Sequence, residues 1–105
     1  MIKVNIKSNH IVITSHANFA DYGKDIVCAS ASSIVITSIN ACLRIDIHSL
    51  EYKEEQDKLT IDIKSNDPII RLIIENMISM LEELAETYNK NVKIVKEEDR
   101  WISWS

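Results

Sequence analysis

The sequence holds one glycine and one proline among 105 residues, too few to build a flexible linker, so it is read as a single domain, 1–105. Two cysteines, Cys28 and Cys42, form no C-x-x-C pair, which argues against structural zinc. On the single helix predicted to carry both, they stand about 21 Å apart along the axis. A disulfide needs Cα atoms within about 7 Å, so no intrachain bridge is expected. Dense basic runs are missing, and the formal charge is -4. Direct nucleic-acid binding is therefore not expected, although a Lys/Arg surface can still gather on one face. The start, MIKVNIKSN, lacks the apolar stretch of a signal peptide, and no apolar run is read as approaching a membrane span. The expectation is a soluble, cytoplasmic protein.

What is present is ordinary globular usage, 46% hydrophobic and 27% charged. Ile2, Val4 and Ile6 alternate with polar residues, the period of a half-buried strand. Ser8-Asn9 reads as a tight turn into a second strand, His10 to Ser15. Residues 16–24 lose any period and read as a loop. Asp25 is a good N-cap for a helix beginning at Ile26. Its face is expected to include Val27, Ala31, Ile34, Val35, Cys42 and Ile45, despite a β-branched centre that would suit a strand.

Strands are expected at 47–54 and 58–64, joined by a hairpin loop at Glu55-Gln56-Asp57. Asp67-Pro68 is a strong helix start. Ile70, Ile73, Ile74, Met77, Leu81, Leu84 and Tyr88 follow at helical steps. Asn89 to Asn91 can end that helix before a last strand, Val92 to Lys96. The order is ββαββαβ: an α/β two-layer sandwich, two helices packed on one face of a mixed sheet of about five strands. Lys3, Lys7, Lys58 and Lys64 should lie near solvent.

The chemistry gathers between His16 and Cys28. An imidazole follows an apolar strand, and a thiol opens the predicted helix as its third residue. Amides at a helix start lack intrahelical partners and favour nearby negative charge. An ordinary cysteine of pKa about 8.5 is about 3% thiolate at pH 7, whereas a pKa near 6 would make it about 90%. The same amides can receive the oxyanion formed when a thiolate attacks a peptide carbonyl. Gly23 would let the loop turn with positive φ or pass close to a substrate. Asp25 can cap the helix or orient His16.

Plainer readings stand beside these. A lone cysteine at a helix start is more often a small buried hydrophobe than a nucleophile, so spacing alone leaves both open. Cys42, among apolar residues, reads as packing. His10 and His48 read as surface or edge residues. Ser30, Ser32 and Ser33 have no evident base. Glu82, Glu83 and Glu86 read as a solvated helix face, and Glu97-Glu98-Asp99 as exposed. Trp101 and Trp104 either dock on the domain or bury themselves against a second subunit.

His16-Ala17, Tyr22, Gly23 and Asp25-Ile26-Val27-Cys28-Ala29 together resemble the motif of the small bacterial ribosomal-processing cysteine proteases known as Prp. The ordered elements after the motif are similar as well. The resemblance implies a cysteine endopeptidase with Cys28 as nucleophile and His16 as base, supported by Gly23, Asp25 and Ala29. Its substrate would be the N-terminal extension of a large-subunit ribosomal protein, L-twenty-seven, cut after an aromatic, hydrophobic segment. It further implies a homodimer and no metal or organic cofactor. Two departures stand out: Ser15 where the family usually has glycine, and the serine-rich run after Ala29. The alternatives are a non-catalytic peptide- or ribosome-binding module using the same groove, and a thiol redox sensor, the latter weakened by the lack of a nearby resolving cysteine.

Overall fold

The computed structural model describes residues 1–15 and 22–97, with the side chains of 22–25 excepted. Strands β1 (Ile2–Lys7) and β2 (His10–Ser15) precede helix α1 (Tyr22–Ile45); β3 (Leu50–Glu54), β4 (Lys58–Ile63), helix α2 (Pro68–Thr87) and β5 (Val92–Lys96) follow. The sheet runs β3-β4-β2-β1-β5. β1 and β5 are parallel, and the other neighbours antiparallel. This is the expected ββαββαβ order on a mixed five-stranded sheet.

Alternation decides which face each strand buries. Ile2, Val4 and Ile6 point to the helices, and register carries that face to Ile11 and Ile13 of β2 and to Ile61 of β4. Ile70, Ile74, Met77 and Leu81 of α2 close the core from above. α2 starts where Asp67 accepts the Ile69 amide at 2.8 Å with Pro68 at the first helical position. The cap satisfies a donor that the helix itself leaves unpaired, and proline gives up none.

α1 departs from expectation. It begins at Tyr22, so residues 22–24 are helical and not loop, and Asp25 is not its N-cap but its fourth residue. Gly23 is helical too; no glycine has positive φ among the described residues. The buried stripe is Val27, Ala31, Val35, Ile39 and Cys42, with Ser38 beside it. Ile45, expected on that face, is 49% exposed. Ser38 is tolerated inside because its hydroxyl donates to the Ile34 carbonyl at 2.8 Å.

Ile26–Ile45 is, by length and composition, apolar enough to cross a membrane, which corrects the reading that no run approaches a span. Here its apolar stripe packs into the core against the sheet and α2. The strand expected from 47 begins only at Leu50, because Asp46 accepts the His48 amide at 2.9 Å and holds a turn. Ile47 is consequently exposed.

The four lysines are exposed as expected. His10 is exposed, but β2 is an interior strand, so it is not an edge residue; its Nδ1 lies 2.6 Å from Asp62 Oδ1 across the β2–β4 ladder. Glu83 and Glu86 are exposed, and Glu82 pairs with Lys96 at 2.9 Å. His16, Ala17, Glu98, Asp99, Trp101 and Trp104 lie outside the described residues.

Candidate active site

α2 packs on α1 and β5, whereas α1 also reaches β3 at the other end of the sheet. Between α1 and the β2-β4-β3 side opens a cleft of about 450 Å³. Its helical wall comes from residues at three- and four-residue steps: Cys28, Ala31, Ser32, Val35, Ile36, Ile39 and Asn40. Ile13 and Leu59, partners across the β2–β4 ladder, contribute apolar surface from the sheet. Tyr52 and the hairpin from Glu54 to Lys58 face the helix. From Cys28 to Asn40 the helix rises about 18 Å, which matches about five residues of extended chain.

Cys28 lines this cleft half-buried, with its sulfur unbridged. It is the seventh residue of α1, not the third. The helix-start amides without intrahelical partners are therefore those of Tyr22 to Asp25, about one turn or more before the thiol. The dipole effect fades within the first turn, so the expected placement of Cys28 on free amides does not hold. A helix starting at Tyr22 is the cause: Asp25 was read as a cap from its residue type, but the chain continues helical on both sides of it.

Ser15 ends β2 and lines the same cleft as Cys28. Its amide donates to the Asp57 carbonyl at 3.0 Å, tying the end of β2 to the β3–β4 hairpin. Ser15 has no positive φ and pairs with Ile2 as extended backbone. Serine adopts that conformation without strain, so nothing here requires the glycine usual at this position. Ala29 follows Cys28 and is exposed. Of the serine-rich run, Ser32 lines the cleft one turn after Cys28.

Cys42 is fully buried, and burial pushes its thiol above the ordinary value. It serves packing. Among the described residues no three His, Cys, Asp or Glu side chains come together to hold a metal. The sequence reading missed Tyr52, Ile36, Asn40 and the hairpin as cleft residues. No local signal announces them, because their shared cleft arises from strand order and helix placement.

The fold and the sequence have counterparts among known proteins. The ribosomal processing cysteine protease Prp of Mycoplasma genitalium is 33% identical over 99 residues, covering 92% of this chain and 97% of that one. The crystal structure of Prp from S. aureus in complex with a substrate peptide superposes with a TM-score of 0.84 at 26% identity, covering 92% of this chain and all of that one. The same enzyme in complex with a covalently linked product peptide gives 0.81 at 27%, with the same coverage. A family model described as Cysteine protease Prp matches residues 1–93. With the family model spanning most of the chain and fold and sequence in agreement, the chain belongs to the cysteine protease Prp family.

Proposed function

We propose that this protein is a cytoplasmic, homodimeric cysteine endopeptidase that removes the N-terminal extension of a large-subunit ribosomal protein. Cys28 is the nucleophile and His16 the base. The observation that carries the assignment is that Ser15 and Cys28 line one cleft. One peptide unit, about 3.8 Å between Cα atoms, separates Ser15 from His16. The apolar floor and the room for about five extended residues suit a peptide with a hydrophobic segment. A relative held with a covalently linked product peptide is consistent with a nucleophilic mechanism.

In this mechanism His16 accepts the thiol proton as the Cys28 sulfur attacks the scissile carbonyl carbon. The tetrahedral intermediate collapses, His16 protonates the leaving amine, and an acyl-enzyme thioester remains. Water, deprotonated by His16, then releases the acid and restores the thiol. For the homodimer, exposed Ile69, Leu72 and Met80 on α2 offer the apolar surface that subunit contacts bury.

A synthetic peptide copying the extension should be cut by the wild type and by Cys42→Ala, and left whole by Cys28→Ala and His16→Ala. Tight binding without turnover by the wild type would instead support a non-catalytic module. Sedimentation velocity reads the dimer directly.

A further inference from the structure

Register lays one row of side chains across the sheet on its helix-facing side: Ile94, Val4, Ile13, Leu59 and Glu54. Val4 is fully buried, and Ile94, Ile13 and Leu59 pack against the core. The last position, on β3, is a carboxylate instead. Ile13, Leu59 and Glu54 all line the cleft that holds Cys28. Alternation turns Lys53, the residue before Glu54, to the opposite side of the sheet. Lys58 alternates with Leu59 in the same way, and its ammonium stands 3.7 Å from Glu55. Directly across the ladder Glu54 meets apolar Leu59, whereas Glu51 on the other face lies 3.9 Å from Lys64.

This carboxylate is within reach of a chain lying in the cleft. Ser15, which lines the cleft with Cys28, is two residues along β2 from Ile13, and Glu54 is two strands across from Ile13. At about 3.3 Å per residue and about 4.8 Å per strand, the Cα atoms of Ser15 and Glu54 are about 12 Å apart. That span is about three to four residues of extended peptide. Glu54 is exposed in the free protein, and a peptide filling the cleft displaces water from it. An apolar residue placed there strands the carboxylate without the hydrogen bonds it had to water, and an acidic one adds repulsion. A lysine or arginine supplies the opposite charge and new hydrogen bonds, while its aliphatic stem lies on Leu59 and Ile13. The row thus discriminates among peptides by penalty as well as by attraction.

We propose that Glu54 is a specificity-determining residue of the cleft, pairing with a basic side chain of the substrate about three or four residues from the bond that is cut. The inference rests on the reading of the cleft as a peptide-cleaving site and adds the charge of a residue that it selects.

The test scans charge through one substrate. The host is the N-acetylated extension peptide with its basic residues replaced by glutamine, and a single lysine is moved through the positions on each side of the cut. Wild type should cleave the best lysine peptide about three- to fivefold faster in kcat/KM than the host, the upper range for a solvent-accessible ion pair. Glutamate at that position should be slower than the host. Glu54→Gln should level the three peptides, and Glu54→Lys should prefer glutamate to lysine. Glu51→Gln removes the same charge from the other face of β3 and should keep the wild-type preference. No gain at any lysine position, a preference that survives Glu54→Gln, or an equal loss in Glu51→Gln overturns the proposal. So does a gain from a free terminal amine with none from lysine, which would place the cation on the chain end. Anisotropy of the same peptides on Cys28→Ala reads the preference without turnover. Ranked binding there with no cleavage by wild type would end the protease reading and uphold the Glu54 contact; cleavage with a flat ranking would do the reverse.

Discussion

Cys28 and Cys42 sit on one helix, fourteen residues and almost four turns apart, yet Cys28 opens on the cleft while Cys42 is sealed in the core. Helical phase does not separate them, since four turns return to nearly the same stripe. Their surroundings do. The Cys28 end of α1 borders the cleft, whereas the Cys42 end is closed by buried Ser49, whose hydroxyl donates to the Cys42 carbonyl at 3.1 Å.

Native labelling should separate the two sulfurs. Iodoacetamide at pH 7 should alkylate Cys28 and spare Cys42, and denaturant should expose Cys42 to the reagent. Mass spectrometry of the digested protein reads both sites. Equal labelling of both in the native state would contradict the burial of Cys42.

The raised Cys42 thiol makes part of the stability depend on pH. Its ordinary value is 9.0 and the folded value is higher, so the unfolded chain loses this proton first as pH climbs. The contribution is full below about pH 8 and is lost as pH rises through the unfolded and then the folded pKa. Cys42→Ala should cost about 1 to 2 kcal/mol at pH 7 from lost packing. That penalty should shrink by pH 10, where urea unfolding of the two proteins can be compared.

Arg71 is 5% exposed and binds two loop residues: Nη1 donates to Asn9 Oδ1 at 2.6 Å and Nη2 to Asn66 Oδ1 at 3.0 Å. Burial lowers its pKa, with Glu75 opposing. It joins the β1–β2 turn to the start of α2. Arg71→Ala should destabilise by about 2 to 4 kcal/mol, because both amide oxygens lose their charged donor. A thermal melt checks this, and Asn9→Ala combined with Arg71→Ala should cost less than the sum of the single changes.

Ser32 is exposed and lies in the cleft one turn beyond Cys28. Ser32→Phe should fill the groove, lowering kcat/KM for the extension peptide at least about tenfold while changing stability by less than about 0.5 kcal/mol. Labelling of Cys28 by a small reagent should persist, which distinguishes a blocked groove from a damaged thiol. Unchanged peptide cleavage would remove Ser32 from the substrate path.

Much of the architecture was legible because its signals are local. β1 alternates strictly, and α2 carries its own cap, proline and apolar period. The start of α1 was misread because Asp25 has the side chain of a cap but stands inside a continuous helix, so its capping tendency was outweighed. Ile39 and Ser38 were left off the buried face for a related reason. Ile26, Ile36 and Ile45 stand on the exposed side of α1 among its polar residues, so contacts rather than pattern choose the stripe.

The residue order by itself determined the succession of strands and helices, the capped second helix and the family to which the chain belongs. These depend on neighbours within a few positions, or on a motif read directly from the chain. Tertiary structure alone decided that Cys28 opens on a cleft while Cys42 does not, that Tyr52 and a hairpin distant in sequence face α1, and that Glu54 ends an apolar row of the sheet. Each of these follows from strand register and layer packing, which join residues remote along the chain and leave no local periodicity to read.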